Sequence, residues 1–387
     1  EISINDPGVI ASALRKPGLD TLIKHYVGKR IDFSGGTLVD FGNELNAPGR
    51  KAVKLKSLSK LKLIKSLTPF LFAPGAPPPE TGGFEGEITG KSRKTADNKA
   101  FIQFHYDLSN DFFALFLDET MTYSSALFAH TGQPLVEAQR NKFRRLAEKA
   151  LLGPRDHVLE IGCGWGSFAL FAAGSYGCRV TGITISDEQY KVARARVRAA
   201  GLEDRVDIRL QDYRDLEGRF DKIVSIEMFE ALGQENWAPF FRKCEDVLAP
   251  DGVVAIQAIS VPDYRFDEYT KHCDWIQKWI FPGSLLASTL GVSRALARAG
   301  TLGIHHLEDV GIHYALTLRR WREAFLANLD GVRALGFDER FIRMWDYYLS
   351  TCEAAFETRT LGNLQLVLSR DLNGSLSAVP TATMRAA

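Results

Sequence analysis

The stretch Val158-Leu159-Glu160-Ile161-Gly162-Cys163-Gly164-Trp165-Gly166 decides how the chain is read. An apolar run of strand length stops at Gly162, and a helix-forming segment, Ser167 to Ala173, begins after Gly166. Such a junction is the crevice at which open α/β sheets bind ligands. Glycine there lets the backbone turn sharply and approach a ligand closely. Gly-x-Gly-x-Gly alone does not choose the ligand, because dinucleotide-binding proteins use a similar turn. Glu160, at the strand end, suits a cationic or amino-bearing ligand better than a pyrophosphate. The second strand ends in Gly182-Ile-Thr-Ile-Ser-Asp-Glu-Gln189, without the isolated acidic residue expected to hold an NAD ribose. Gln211-Asp212-Tyr213 follows the third strand, where an adenine amino group could be read. These features favour S-adenosylmethionine; a strand–turn–helix with no ligand is the plain alternative.

Working outward, Ala138 to Ala150 reads as a helix with Phe143, Leu146 and Ala147 on one face. Strands are expected at His157–Ile161, Arg179–Thr184, Val206–Leu210, Lys222–Ile226 and Val253–Ala258, with a helix at Asp187–Ala200. Leu364-Gln-Leu-Val-Leu-Ser adds a last buried strand. Strands alternating with helices predict an α/β fold whose parallel sheet is covered on both faces.

The first third differs. Residues 1–95 carry 15 Lys/Arg against 9 Asp/Glu, although the whole chain has a net charge of only +1. No acidic residue falls between Glu44 and Glu80, while seven basic ones fall between Arg50 and Lys65, interleaved with apolar residues. A small basic α+β N-terminal unit is expected over 1–73, with a hairpin turning at Gly35-Gly36. Its Arg50–Lys65 stretch is either a solvated charged face or a contact with an anionic membrane, worth ~1 kcal/mol per basic residue near the surface. Residues 74–94, rich in Pro and Gly, read as a linker or flap before a catalytic domain over 95–387.

The 387 residues are 45% hydrophobic and 25% charged, which excludes a disordered chain. The near-zero net charge gives no reason to expect nucleic acid. Five scattered cysteines show no metal-ligand spacing and fit a reducing cytosol. No apolar stretch reaches the ~20 residues of a membrane span, and the N-terminus lacks the pattern of a signal peptide. The expectation is a cytoplasmic protein, peripheral on the inner membrane face, without a bound metal and with homodimerisation left open.

Several strings together resemble the cyclopropane fatty acid synthase family, a lipid-modifying branch of the class I methyltransferases. They are His105-Tyr106-Asp107-Leu108-Ser109-Asn110-Asp111-Phe112-Phe113, Met121-Thr122-Tyr123-Ser124, the glycine turn, Gly182 to Gln189, Leu210-Gln-Asp-Tyr-Arg-Asp215, Ser225-Ile-Glu-Met-Phe-Glu230 and Trp279-Ile-Phe-Pro-Gly283. In order, they span roughly residues 100–370. The resemblance implies a Rossmann-like sheet; the long, aromatic and amphipathic stretch at about 260–345 reads as a helical insertion that roofs an acyl channel, with a plain helical cap as the alternative. The resemblance also implies cofactor contacts from Tyr123, Ser124, Gly162, Gly164, Thr184, Ile185, Gln189 and Tyr213, with Gln211 and Asp212 near the adenine; Glu160 and Gly166 complete the set drawn from the turn itself. It further implies a bicarbonate ion held by Ser125, Glu230, Gln257, the Ile259 backbone and Tyr314. This chain departs from the commonest pattern, in which Ser125 is often Cys, Gln257 often His, and Ala231 a His. Ser and Gln still offer hydrogen bonds to an oxyanion.

The chemistry so implied joins a weakly nucleophilic cis alkene of an unsaturated phospholipid acyl chain to the methyl of a sulfonium. Alignment and exclusion of water are the protein's tasks. The resulting carbocation calls for aromatic faces, for which Phe128, Trp275, Trp279, Phe281, Trp321, Trp345 and Tyr347 are candidates. A weak base suffices to remove the proton, so Glu230 reads as orienting that base and not as the base itself. Closure to cyclopropane and formation of a methyl-branched or methylene chain both remain open. Two other classes stay in view: a small-molecule N-methyltransferase, and a lipid-binding protein that has lost catalysis.

Overall fold

The computed structural model describes residues 2–16, 18–46, 109–271 and 273–376. The Arg50–Lys65 stretch, residues 74–94 and the start of the His105–Phe113 string lie outside the described residues.

At the N-terminus β1 (Ile2–Ile4), α1 (Gly8–Arg15), α2 (Leu19–Val27) and β2 (Ile31–Phe33) precede α3 (Leu38–Asn46), and β1 pairs antiparallel with β2. The hairpin expected at Gly35-Gly36 does not form. Thr37 instead caps a helix: its Oγ1 accepts from the Asp40 amide at 3.1 Å while the Asp40 carboxylate accepts from the Thr37 amide at 2.7 Å. That reciprocal capping box starts α3 where a returning strand was expected. Val9, Ile23, Tyr26 and Ile31 belong to the same apolar cluster as Phe112, Trp345 and Tyr348. Arg343 reinforces the joint, donating to Tyr26 O at 2.7 Å and to Ile31 O at 2.9 Å.

A short helix, α4 (Asn110–Ala114), buries Phe112 and Phe113, and α5 (Leu135–Lys149) follows. The buried face of α5 carries Ala138, Phe143 and Leu146 but also Gln139 and Lys142. Then come β3 (His157–Ile161), α6 (Ser167–Tyr176), β4 (Arg179–Thr184), α7 (Asp187–Ala199), β5 (Val206–Leu210), β6 (Phe220–Ile226), α8 (Trp237–Val247) and β7 (Leu248–Ser260). The sheet order is β5-β4-β3-β6-β7-β9-β8, with β3 to β7 parallel. β9 (Gly362–Ser369) is buried throughout and runs antiparallel between β7 and β8 (Gly303–Asp309). Its register sets Gln365 opposite Gln257 and Asn363 opposite Ile259.

The segment after β7 is not wholly helical. It holds α9 (Asp263–Tyr269), α10 (Trp275–Trp279), α11 (Thr289–Ala299), then β8, and afterwards α12 (Gly311–Ala327), α13 (Leu329–Ala334) and α14 (Glu339–Glu357). β8 escapes an alternation reading because it is an exposed edge strand, Gly-Ile-His-His-Leu-Glu-Asp, with almost no inward apolar side. α4, α12 and α14 meet through Phe112, Trp321 and Trp345, each nearly or fully buried. Burial of that size contributes ~2–3 kcal/mol per side chain and fixes the helical layer on the sheet edge. Among the described residues, no helix is long and apolar enough to cross a membrane.

Candidate active site

A cavity of about 720 Å³ opens where β3, β6 and β7 end beneath the helical layer. Gly162 and Gly164 form part of its wall, with left-handed φ of 82° and 54°. A Cβ on Gly162 would lie 2.7 Å from Met228 Cγ, whereas one on Gly164 would enter open space. The turn thus leaves room for a ligand directly over its backbone. Gly166, at φ 81°, caps α6 and closes against Ala193.

Glu160 is buried beside this opening, and its Oε2 has no partner among the described residues. Burial raises its carboxyl well above the ordinary range, against the pull of the Ala169 amide and the Lys142 charge. An amino-bearing ligand would supply the missing donor. Tyr123, Ser124 and Gln189 line the same cavity. S-adenosylmethionine, with its ammonium and its sulfonium, fits this donor-poor, carboxylate-bearing cradle.

The other residues expected at the cofactor sit outside the lining. Thr184 Oγ1 donates to Gln189 Oε1 at 2.8 Å and so positions a lining side chain, while Ile185 is half-buried at the end of β4. Gln211 Nε2 donates to Asp215 O at 2.8 Å, and Asp212 accepts from both the Arg214 amide and its guanidinium. Tyr213 also stands outside the lining, its ring packed edge-on against Phe240 at 5.5 Å inside the sheet core. Of the aromatic residues expected along the channel, Phe281 lines it. Trp275, Trp321, Trp345 and Tyr347 are buried behind it, Trp279 packs on the same cluster, and Phe128 belongs to a separate one. Tyr123, Tyr314, Tyr348 and Phe356 are among the other rings that line the cavity.

Two carboxylates stand in the wall three residues apart. Glu230, on a one-turn helix after β6, accepts from the Ile259 amide, and its Oε2 is buried with no partner among the described residues. Burial first, and the Glu227 charge second, push its carboxyl up to about 8. Glu227 was not expected at the site, yet it is the hub. Its Oε1 accepts from the Ser125 amide at 3.0 Å, Gln257 Nε2 at 2.8 Å and Asn363 Nδ2 at 2.8 Å. Its Oε2 accepts from the Tyr314 hydroxyl at 2.8 Å. Among the described residues, no group of three or more His, Cys, Asp or Glu could hold a metal ion.

Residues 92–366 match the family model described as mycolic acid cyclopropane synthetase. The chain belongs to this family.

The tuberculostearic acid methyltransferase UfaA1 of Mycobacterium tuberculosis is 47% identical over 278 residues, covering 70% of this chain and 65% of that protein. The cyclopropane-fatty-acyl-phospholipid synthase of Escherichia coli is 39% identical over 274 residues, covering 70% of this chain and 68% of that one. The match thus spans about two thirds of the length of these relatives. The crystal structure of the mycolic acid cyclopropane synthase CmaA1, complexed with SAH and CTAB, superposes with a TM-score of 0.65 at 31% identity, covering 70% of this chain and 98% of that one. The fold is therefore that of the class I S-adenosylmethionine-dependent methyltransferases.

Within this cyclopropane synthetase fold, the ligands expected for bicarbonate are already engaged. The Ser125 amide, Gln257 Nε2 and the Tyr314 hydroxyl converge on Glu227, and the Ile259 amide on Glu230. The Ser125 hydroxyl donates to Ala126 O at 3.1 Å, away from the cluster. The residues present do not fit a free oxyanion, because a side-chain carboxylate holds the donors it would need. Glu227 was legible to the extent that it closes β6 at the sheet's C-terminal edge. Asn363 and Lys142 carried weaker signals, a polar residue in a buried strand and a lysine on the inner face of α5.

Proposed function

We propose that the protein transfers a methyl group from S-adenosylmethionine to the cis double bond of an unsaturated fatty acyl chain of a phospholipid, giving a cyclopropane or a methylene-branched chain. One observation carries this reading: an apolar, ring-lined cavity meets the glycine turn and a carboxylate pair in one buried place. When bound, S-adenosylmethionine supplies a methyl on a sulfonium, so no metal is required to activate the leaving group. The names of the relatives, a tuberculostearic acid methyltransferase and a cyclopropane-fatty-acyl-phospholipid synthase, support lipid as the substrate class.

The chain's own residues have separate tasks. Gly162 lets the turn close on Met228, Gly164 leaves space for the donor, and Glu160 offers it a carboxylate. Tyr123, Tyr314 and Tyr348 line the cavity in which positive charge develops, and a ring face turned to that charge is worth ~1–2 kcal/mol when water is excluded. The basic stretch Arg50–Lys65, in residues outside the described ones, is the proposed contact with an anionic membrane, consistent with peripheral association at the inner face.

The test is incubation with labelled S-adenosylmethionine and vesicles of unsaturated phospholipid, followed by mass spectrometry and proton spectra of the acyl chains. A gain of one CH2 with high-field ring protons identifies cyclopropane, and one with exocyclic methylene protons identifies the branched product. Unlabelled lipid refutes the proposal. Co-sedimentation with the vesicles should weaken as salt rises, since screening shortens the reach of surface charge.

A further inference from the structure

We infer that Glu227 is the built-in base of the reaction: its carboxylate fills the oxyanion position beside the cavity, so that a side chain and not a captured anion takes the proton. The inference rests on the alkene methyl transfer proposed above.

Four donors from four parts of the chain converge on this one carboxylate: Ser125, Gln257, Tyr314 and Asn363. Donors so gathered in a water-poor wall are arranged to hold negative charge. They are themselves held. Gln365 Nε2 donates to Gln257 Oε1 at 2.9 Å, which leaves the Gln257 amide nitrogen aimed at Glu227, and Lys149 fixes Gln365 in turn at 2.6 Å.

The backbone adds an independent observation. Glu227 has φ of 51°, the left-handed region, one residue past the end of β6. A side chain there is strained where glycine would not be, and such strain persists where the surrounding structure over-determines it, characteristically at reactive positions. Glu227 also faces the cavity.

The two oxygens differ. Oε1 accepts three hydrogen bonds, whereas Oε2 accepts one among the described residues, from Tyr314. Oε2 therefore keeps a lone pair for a proton. Glu230 stands next to this anion with its carboxyl pushed up, so the pair divides into one proton holder and one proton acceptor.

The step balances as follows. The alkene pair forms a C–C bond to the donor's methyl while the S–C pair remains on sulfur, leaving a thioether and a carbocation on the acyl chain. A C–H bond of the new methyl then breaks. Its electron pair closes the ring, and its proton goes to Glu227 Oε2. After a hydride shift the same loss, with the pair forming a C=C bond, gives the methylene product. No oxidant or reductant enters.

The test compares turnover on unsaturated phospholipid in buffer stripped of carbon dioxide, with and without added bicarbonate. Wild type should be indifferent to bicarbonate. Glu227→Gln, which keeps the shape and fills the same place, should bind S-adenosylmethionine as wild type does by calorimetry, lose turnover about a hundredfold or more, and gain nothing from bicarbonate. Glu227→Gly, which relieves the strain and empties the place, should be equally slow and partly rescued by bicarbonate or formate. Wild-type turnover that falls on stripping and returns with bicarbonate overturns the inference. So does an active Glu227→Gln, or a Glu227→Gly that binds the donor normally and answers to neither anion. A wild type that modifies no lipid under any condition refutes the methyl-transfer reading itself, and the inference falls with it.

Discussion

Lys142 Nζ donates to Ser124 Oγ at 2.6 Å, a fully buried lysine joined to a buried serine of the cavity wall. Burial drives the lysine down to about 7, against the opposing pull of the Glu227, Asp118 and Glu160 charges. The unfolded lysine titrates at its ordinary 10.5. Stability tied to its neutral form is therefore fully present above that value and lost as pH falls through about 7. Lys142→Met, which cannot charge, should gain on wild type as pH is lowered across this window. Urea denaturation at pH values on either side of the window measures the difference; parallel curves would contradict it.

Glu230 has the opposite sign. Its carboxyl is raised from 4.5 to about 8 by burial and by Glu227. The stabilising protonated form is complete below 4.5 and lost as pH rises through about 8. Glu230→Gln cannot ionise but keeps an acceptor for the Ile259 amide. Its thermal midpoint relative to wild type should rise between those limits and level off above them.

Tyr314 and Tyr348 offer a matched pair of hydroxyl deletions. Tyr314 donates to a carboxylate at 2.8 Å, while Tyr348 shares a neutral hydrogen bond with Tyr123 at 3.0 Å. Hydrogen bonds to charged groups contribute ~1.5–3 kcal/mol and neutral ones ~0.5–1.5 kcal/mol. Tyr314→Phe keeps its stack on Phe356, with ring centroids 4.5 Å apart. It should nonetheless lose more stability than Tyr348→Phe in chemical denaturation.

Gly164→Ala should act on binding more than on folding. The new Cβ meets nothing within 4 Å, but it projects into the space over the turn at a left-handed φ of 54°. The backbone penalty is ~1–2 kcal/mol, and calorimetry should show S-adenosylmethionine affinity lowered by about tenfold or more, since 1.4 kcal/mol of lost contact is one decade. Unchanged affinity would remove the turn from the donor site.

Much of the sheet was legible because it obeys local rules. The strand at His157–Ile161 runs as read, the glycines turn at the expected point, and the following helix begins at Ser167. The inner face of α5 was read through Phe143, Leu146 and Ala147, while Gln139 and Lys142, which the same 3.6-residue spacing places there, were passed over because they are polar. Where local signals were weak or competed, the reading failed. β8 offered no apolar alternation, and the Thr37–Asp40 capping box overrode a glycine pair that suggested a hairpin.

By itself the sequence determined the alternating architecture, the ligand-binding turn and the presence of two acidic residues just past β6, because strand period, glycine freedom and chain order are local properties. Which of those acids receives the donors was decided only by tertiary structure. Ser125, Gln257, Tyr314 and Asn363 are distant in sequence, and they reach Glu227 through β9 lying beside β7 and α12 folding back over the sheet edge. A hydrogen bond depends on position and direction in space, and no spacing within six residues encodes where side chains a hundred residues away will point.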